Sequence, residues 1–384
     1  VTIQGRFMLI ALLVLAALFV GYSNGANDNF KGVATLYGSR TLSFRTALML
    51  GTLATLTGCI CSAFLAEALV TAFSGKGLVP EAVSASPRFL MAVAMGAAST
   101  VMIASVLGFP VSTTHALTGG LLGAGWVAAG SALNLSVLGN TFFLPLLASP
   151  LLSLFLVMPL YRLARFGRER LAIDKETCIC IGRRRFVPIA VAGTSSVAST
   201  PLSGPISADL EVTIASAANC VQRYRGTVIG FSAQSLVDAV HVMSALAVSF
   251  ARGLNDTPKI VGLLLVVKAL DLRVSMIAIA LAMGLGGLLN SRNVAVTMSD
   301  KISRMNDGQA LSANLVTAFL VVGASRFGLP VSTTQVSVAA IGGVGLVNGT
   351  ADTAVLRNVL VSWVATLPIS AALAALAFTL AGLL

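Results

Sequence analysis

The chain has 384 residues, of which 56% are hydrophobic and only 10% charged. Soluble domains carry about 25% charged residues, so a water-soluble globular domain is excluded. The net charge of +11 raises nucleic-acid binding, but ten of the 25 Lys and Arg residues fall between Arg162 and Arg225, a placement that argues against it.

Apolar stretches recur at 7–22, 44–73, 89–109, 142–163, 228–250, 260–289, 311–327 and 355–384. About twenty apolar residues cross a bilayer as a helix, so the expected fold is an all-α polytopic membrane protein. In chain order, residues 7–22 form the first helix. It is expected to end at Ser23-Asn24-Gly25-Ala26-Asn27-Asp28, because a lipid-facing helix could not hold so polar a run. No signal-peptide cleavage site separates the two. Residues 44–73 exceed one span and must tilt, kink or emerge, and 76–87 is a loop.

Residues 89–109 lead into Gly108-Phe109-Pro110-Val111-Ser112-Thr113-Thr114-His115. Proline cannot continue a helix but suits the first turn of a new one, and Ser and Thr are natural N-caps. The pattern predicts a helix end, a short break and a new helix through 117–127, as a re-entrant or discontinuous hairpin. Its Gly119, Gly120, Gly123 and Gly125 permit close helix approach. Residues 142–163 close the first half, with Pro145, Pro150 and Pro159 as kink positions. The basic stretch 161–226 is read as a cytoplasmic linker, because positive loops stay on that side. Within it 186–191 and 210–214 read as short strands. Cys178 and Cys180 lie there too. With Cys59 and Cys61 in an apolar helix, Cys220 alone and two His in all, no zinc site is expected.

From 227 the plan repeats. Pro330-Val331-Ser332-Thr333-Thr334-Gln335 echoes Pro110 to His115 some 220 positions on. Asn255-Asp256-Thr257-Pro258-Lys259 echoes Asn27-Asp28-Asn29-Phe30-Lys31 at about 228. More loosely, 358–369 with Leu367-Pro368 echoes 140–151 with Ser149-Pro150. Three echoes in one order mean a duplicated unit, dividing the chain into a first membrane repeat, 1–160, the linker, 161–226, and a second repeat, 227–384. Two like halves joined by one linker suggest the inverted repeats of secondary transporters, whose sites lie near the midplane where broken helices meet.

If the two Pro-Val-Ser-Thr-Thr breaks face one another, each supplies free backbone N–H groups, hydroxyls and the positive end of a helix dipole. That is an anion site, suited to a tetrahedral oxyanion. Asp28 and Asp256 are ionisable groups in membrane segments, on an ion path or paired. Asn27 and Asn255 add amide oxygens, and carboxylate with amide oxygen is reasonable hard-cation ligation. Lys31 and Lys259 are candidate partners of the two aspartates. His115 could carry a proton, but Gln335 stands at its place in the second half, so a shared donor role fits better. His241 has no counterpart and reads as a packing histidine. There is no Walker A sequence, and no nucleophile–base pattern indicates an enzyme.

At these motifs the chain resembles the PiT family of inorganic phosphate transporters. The family signature Gly-Ala-Asn-Asp-Val-Ala-Asn, once per half, is matched by Gly25-Ala26-Asn27-Asp28 and nearly by Gly253-Leu254-Asn255-Asp256. The family's Pro-Val-Ser-Thr-Thr-His is complete at Pro110 to His115, and Gln335 replaces His in the second copy. The resemblance implies an inverted-repeat helical bundle with two re-entrant hairpins, and cation-coupled phosphate symport in a cell membrane without a cofactor. Ser112, Thr113, Thr114, Ser332, Thr333 and Thr334 would hold phosphate. Asn27, Asp28, Asn255 and Asp256 would form the coupling-cation site, with His115 and Gln335 secondary. Two departures matter. Lys31 and Lys259 stand where the signature has its second Asn, and Asn314 stands where the family tends to carry an acid. An ammonium at a sodium ligand position implies proton rather than sodium coupling, or direct contact of the lysines with phosphate. Sulfate, of the same shape, is the rival substrate, and a non-transporting oxyanion receptor the rival class. The expected partners are phosphate and the lipid bilayer, not nucleic acid, with a homodimer compatible with such a bundle.

Overall fold

The computed structural model describes residues 3–171, 177–184, 210–216, 224–267, 270–302 and 305–383. They fall into two compact units, Val1–Arg162 with His241–Leu384, and Leu163–Val240. Ten long helices follow one another: α1 (Ile3–Asp28), α2 (Phe44–Leu65), α3 (Pro87–Leu107), α4 (Thr113–Ala129), α5 (Leu144–Arg170), α6 (Ala233–Val261), α7 (Leu272–Asn290), α8 (Asp307–Arg326), α9 (Thr333–Asn348) and α10 (Thr353–Leu380). Among the described residues all but α4 and α9 are long and apolar enough to cross a membrane. Phe64, Phe155, Phe319 and Val364 are each at least 70% exposed; such side chains suit lipid as solvent. The chain is an all-α, multi-pass membrane protein.

The smaller unit carries a three-stranded antiparallel sheet in the order β2-β1-β3, from β1 (Thr177–Arg184), β2 (Leu210–Ser216) and β3 (Tyr224–Ser232). The expected strand at 210–214 lies in β2, and the one at 186–191 falls outside the described residues. The central strand is β1, where Cys178 pairs with Ala215 on one side and Ser232 on the other.

One expectation needs correction. The first helix does not stop at residue 22; α1 continues through Asp28, because Ser23, Asn24, Asn27 and Asp28 are all buried against protein rather than lipid. The stretch 44–73, expected to tilt, kink or emerge, breaks at Ala66, which leaves the helical region (φ −133°, ψ 31°) between α2 and a short helix, Glu67–Ala72.

The two broken helices are built alike. Gly108 and Gly328 adopt φ of 77° and 68°, a left-handed geometry that side chains resist. Phe109 N then donates to Ala104 O and Leu329 N to Ala324 O, both at 2.9 Å, closing α3 and α8. The chain runs on extended to Ser112 and Ser332 (φ −99° and −98°), whose hydroxyls accept from His115 N and Gln335 N and so cap α4 and α9. The new helix runs from Thr113 through the expected 117–127 stretch, its start set by the Ser112 cap.

Packing within the larger unit exchanges the halves. A Cβ on Gly25 of α1 would stand 1.9 Å from Met283 O of α7, and one on Gly253 of α6 would stand 2.2 Å from Thr55 O of α2. Gly286 meets Tyr22 O, and Gly58 meets Phe250 O, in the same reciprocal way. Ser370 of α10 donates to Ala116 O of α4 at 2.5 Å, and Ser153 of α5 to Val336 O of α9 at 2.7 Å. Each half therefore packs its helices onto the other half's, and the starts of α4 and α9 meet the ends of α1 and α6 in the buried centre.

Candidate substrate and ion site

The polar cluster is assembled from four helix ends: the last turns of α1 and α6 and the first turns of α4 and α9. Asp28 closes α1, and Lys31 follows three residues later on a turn in which Lys31 N donates to Asp28 O. In the second half the helix continues past Asp256 and Lys259 to Val261, with Pro258 inside it. Both lysines thus sit at i+3 from their aspartate, a spacing that brings the side chains together.

Lys31 Nζ lies among four oxygens: the Asp28 carboxylate, Asn27 Oδ1 at 2.7 Å, Val111 O at 2.8 Å and Thr334 Oγ1 at 2.7 Å. Lys259 Nζ has the exchanged set: Asp256 Oδ1 at 3.3 Å, Val331 O at 2.7 Å and Thr114 Oγ1 at 2.7 Å. The hydroxyls cross over in turn. Thr114 Oγ1 donates to Val331 O at 3.1 Å, and Thr334 Oγ1 to Val111 O at 2.9 Å. Carboxylate, amide, carbonyl and hydroxyl oxygens are the ligands a hard cation takes, and here each set surrounds an ammonium.

The amides hold the frame. Asn27 Nδ2 donates to Ser105 Oγ and Phe109 O, both at 3.0 Å, while its Oδ1 accepts from Val111 N. Asn255 Nδ2 donates to Val331 O at 3.2 Å, and its Oδ1 accepts from Ser325 Oγ. Each Asn thereby ties its helix end to the hairpin of its own half.

Most of the predicted site residues meet here, with partners that vary between the halves. Thr113 Oγ1 donates to Asp28 Oδ2 at 3.1 Å. Ser112 and Ser332 spend their oxygens on the caps of α4 and α9. Thr333 is buried at the start of α9. His115 Nε2 and Gln335 Nε2 face each other at 3.4 Å, and His115 Nδ1 and Gln335 Oε1 have no hydrogen-bond partner. The first-turn N–H groups at Thr113, Thr114, Thr333 and Thr334 have no carbonyl of their own helix to bind. His241, expected as a satisfied packing histidine, is buried in a separate polar network, with Nδ1 3.2 Å from Asp307 Oδ1 and Nε2 3.2 Å from Thr35 Oγ1. Asn314, at the position of the expected acid, belongs to that network, donating to Thr35 and Ser244 at 3.1 Å.

Two residues escaped the sequence reading. Asn24 Nδ2 reaches Asp28 Oδ2 at 2.9 Å, Thr113 Oγ1 at 3.0 Å and Asp256 Oδ2 at 3.2 Å, so it bridges both carboxylates. Arg252 occupies the same place on α6, at the offset of about 228 that relates the motifs. It is 1% exposed. The available signal was a charged residue directly ahead of the second signature, one helical turn before Asp256.

The cluster joins buried cations, two carboxylates and two helix N-termini inside a membrane bundle, the makings of an anion transport site. The protein is thus a membrane transporter rather than an enzyme. The sequence profile described as the phosphate transporter family matches residues 24–374, and the chain belongs to that family. Similar proteins include one of Thermococcus kodakarensis, 26% identical over 96% of both chains and named as a phosphate permease. Another, of Bacillus subtilis, is 25% identical over 97% of this chain and 96% of its own length, and is named as a low-affinity inorganic phosphate transporter. A solved structure titled the sodium-dependent phosphate transporter has the same fold, with a TM-score of 0.73 and 20% identity over 98% of this chain and all of that one.

Proposed function

We propose that this protein takes up inorganic phosphate across the cytoplasmic membrane by symport with protons, and that Lys31 and Lys259 stand in for sodium. The observation that carries this reading is the set of four oxygens around Lys31 Nζ. A sodium ion at the Asp28 and Asn27 oxygens would have to displace a fixed ammonium already neutralising that carboxylate. Desolvating a second cation there gains little once the charge is paired.

Phosphate would bind between the starts of α4 and α9, taking first-turn N–H groups and the hydroxyls of Thr113, Thr114, Thr333 and Thr334, with Ser112 and Ser332 holding those turns in place. In the state described, the Thr114 and Thr334 hydroxyls are closed onto the opposite hairpin. Admitting substrate requires the two hairpins to part, and the alternating-access rocking of two repeats supplies such a motion. Phosphate itself brings protons that Asp28 or Asp256 can exchange, which sulfate does not near neutral pH. The same reading puts the basic linker in the cytoplasm, and a homodimer is the assembly to look for by crosslinking in membranes.

The test is uptake of radiolabelled phosphate into proteoliposomes under separately imposed proton and sodium gradients, with sulfate as competitor. Uptake driven by protons alone is expected. Uptake that needs sodium would return Asn27, Asp28, Asn255 and Asp256 to sodium ligation, and transport of sulfate in place of phosphate would overturn the substrate.

A further inference from the structure

We infer that the Arg252 guanidinium is the primary anchor of the transported oxyanion, which it grips through two oxygens. The inference deepens the reading of this protein as an oxyanion transporter and rests on it.

Arg252 is one of the largest fully buried side chains in the structure. Among the described residues its Nε, Nη1 and Nη2 all lack a hydrogen-bond partner. A guanidinium carries five N–H donors in a rigid fork and stays charged in proteins. Burying it without an acceptor is strongly unfavourable, so the fold keeps Arg252 for an acceptor that the described residues do not supply. The chemistry of the fork names that acceptor as a planar or tetrahedral oxyanion able to offer two oxygens side by side.

Its place connects it to the site. Arg252 precedes Asp256 by one helical turn, and its counterpart Asn24 directs its amide onto Asp28, Thr113 and Asp256. It lies within electrostatic range of Lys31. Ser249, one turn earlier on α6, has a buried hydroxyl that also lacks a partner. Its oxygen would stand 2.2 Å from a Cβ on Gly32, the residue after Lys31. Arg252 and Ser249 thus extend the donor array from the lysines along α6.

Charge counting makes the inference specific. Lys31, Lys259 and Arg252 oppose Asp28 and Asp256, and all five are buried, which leaves one positive charge uncompensated. A monoanionic oxyanion neutralises it alone, whereas a dianion needs one accompanying cation. Without Arg252 the fixed charges cancel, and even a monoanion would need a cation with it.

The test compares the thermal stability of the detergent-solubilised full chain, wild type against Arg252→Gln and Arg252→Lys, across titrations of phosphate and of sulfate. The unliganded Arg252→Gln protein should melt above wild type, because an unpaired buried charge is gone. Its apparent phosphate affinity should fall by about tenfold or more, and that of Arg252→Lys by a smaller factor of several-fold, since an ammonium cannot reproduce the bidentate fork. An Arg252→Gln protein that melts lower than wild type yet keeps its phosphate affinity within twofold overturns the inference. Should Arg252→Gln not fold, Arg252→Lys decides: unchanged affinity overturns the inference and weakened affinity supports it. A wild type stabilised by sulfate and not by phosphate contradicts the phosphate reading, while the same variants in sulfate still judge Arg252. A wild type stabilised by neither anion overturns both.

Discussion

At the end of α1, Asn24 gives its amide to both carboxylates and to Thr113; at the same place on α6 stands Arg252, whose guanidinium has no partner among the described residues. The lysines and the capping serines agree closely between the two clusters. Each lysine binds the carbonyl of its own hairpin and the threonine of the other at 2.7 to 2.8 Å. Each serine caps its helix at 3.1 or 3.2 Å. Where the halves match, the contacts hold the bundle together and are satisfied within the protein. Where Asn24 is replaced by Arg252, a buried guanidinium is left without a partner among the described residues, and there the cluster is prepared for something from outside.

The largest effect should come from removing a lysine. Lys31→Ala leaves the Asp28 carboxylate buried beside only neutral donors, and breaking a buried ion pair from one side costs about 3–5 kcal/mol. Lys259→Ala should cost less, because its ion pair is longer, at 3.3 Å. Melting temperatures of the two variants in one detergent check the order, and equal losses would mean the halves are not distinguished at this point.

Gly25→Ala and Gly253→Ala each drive a methyl group into a carbonyl of the opposite half. Overpacking of this kind costs about 1–3 kcal/mol, and the pair should behave alike if the exchanged packing is real. Gly25→Ala alone lowering the melting temperature would show that only the α1 and α7 contact is tight.

Removing the caps should have the next effect. Ser112→Ala and Ser332→Ala each lose one N-cap, worth about 1 kcal/mol, and the two losses should agree in thermal denaturation. A clear excess at one serine would show a role beyond capping there.

Gly108→Ala and Gly328→Ala both strain a left-handed residue, by about 1 kcal/mol. Gly328→Ala should cost more, since its new Cβ would also stand 2.6 Å from Ala68 Cβ, whereas the nearest atom to one on Gly108 is 3.3 Å away.

These contrasts also mark what could be read from the sequence. The breaks at Pro110 and Pro330 were legible because proline, glycine and hydroxyl caps act locally, through a few residues of backbone. The duplication was legible because two copies carry the same punctuation in the same order. The run of α1 through Asp28 was not, because a polar turn is unstable in lipid and only its burial by α3 and α7 makes it helical. The pairing of Gly25 with Met283 depends on the exchange of helices between halves, which no local pattern encodes. Arg252 was overlooked because a positive charge after an apolar stretch usually marks a membrane boundary, and only its missing partner reveals it as buried and unsatisfied.

The most direct test of the central claim is a sodium titration of phosphate uptake into proteoliposomes at fixed proton gradient, with wild type and Lys31→Asn side by side. If the ammonium of Lys31 fills the cation position, wild-type uptake is flat from zero sodium upward, while Lys31→Asn, with an amide restored, depends on sodium. Wild-type uptake that starts only when sodium is added would contradict the account.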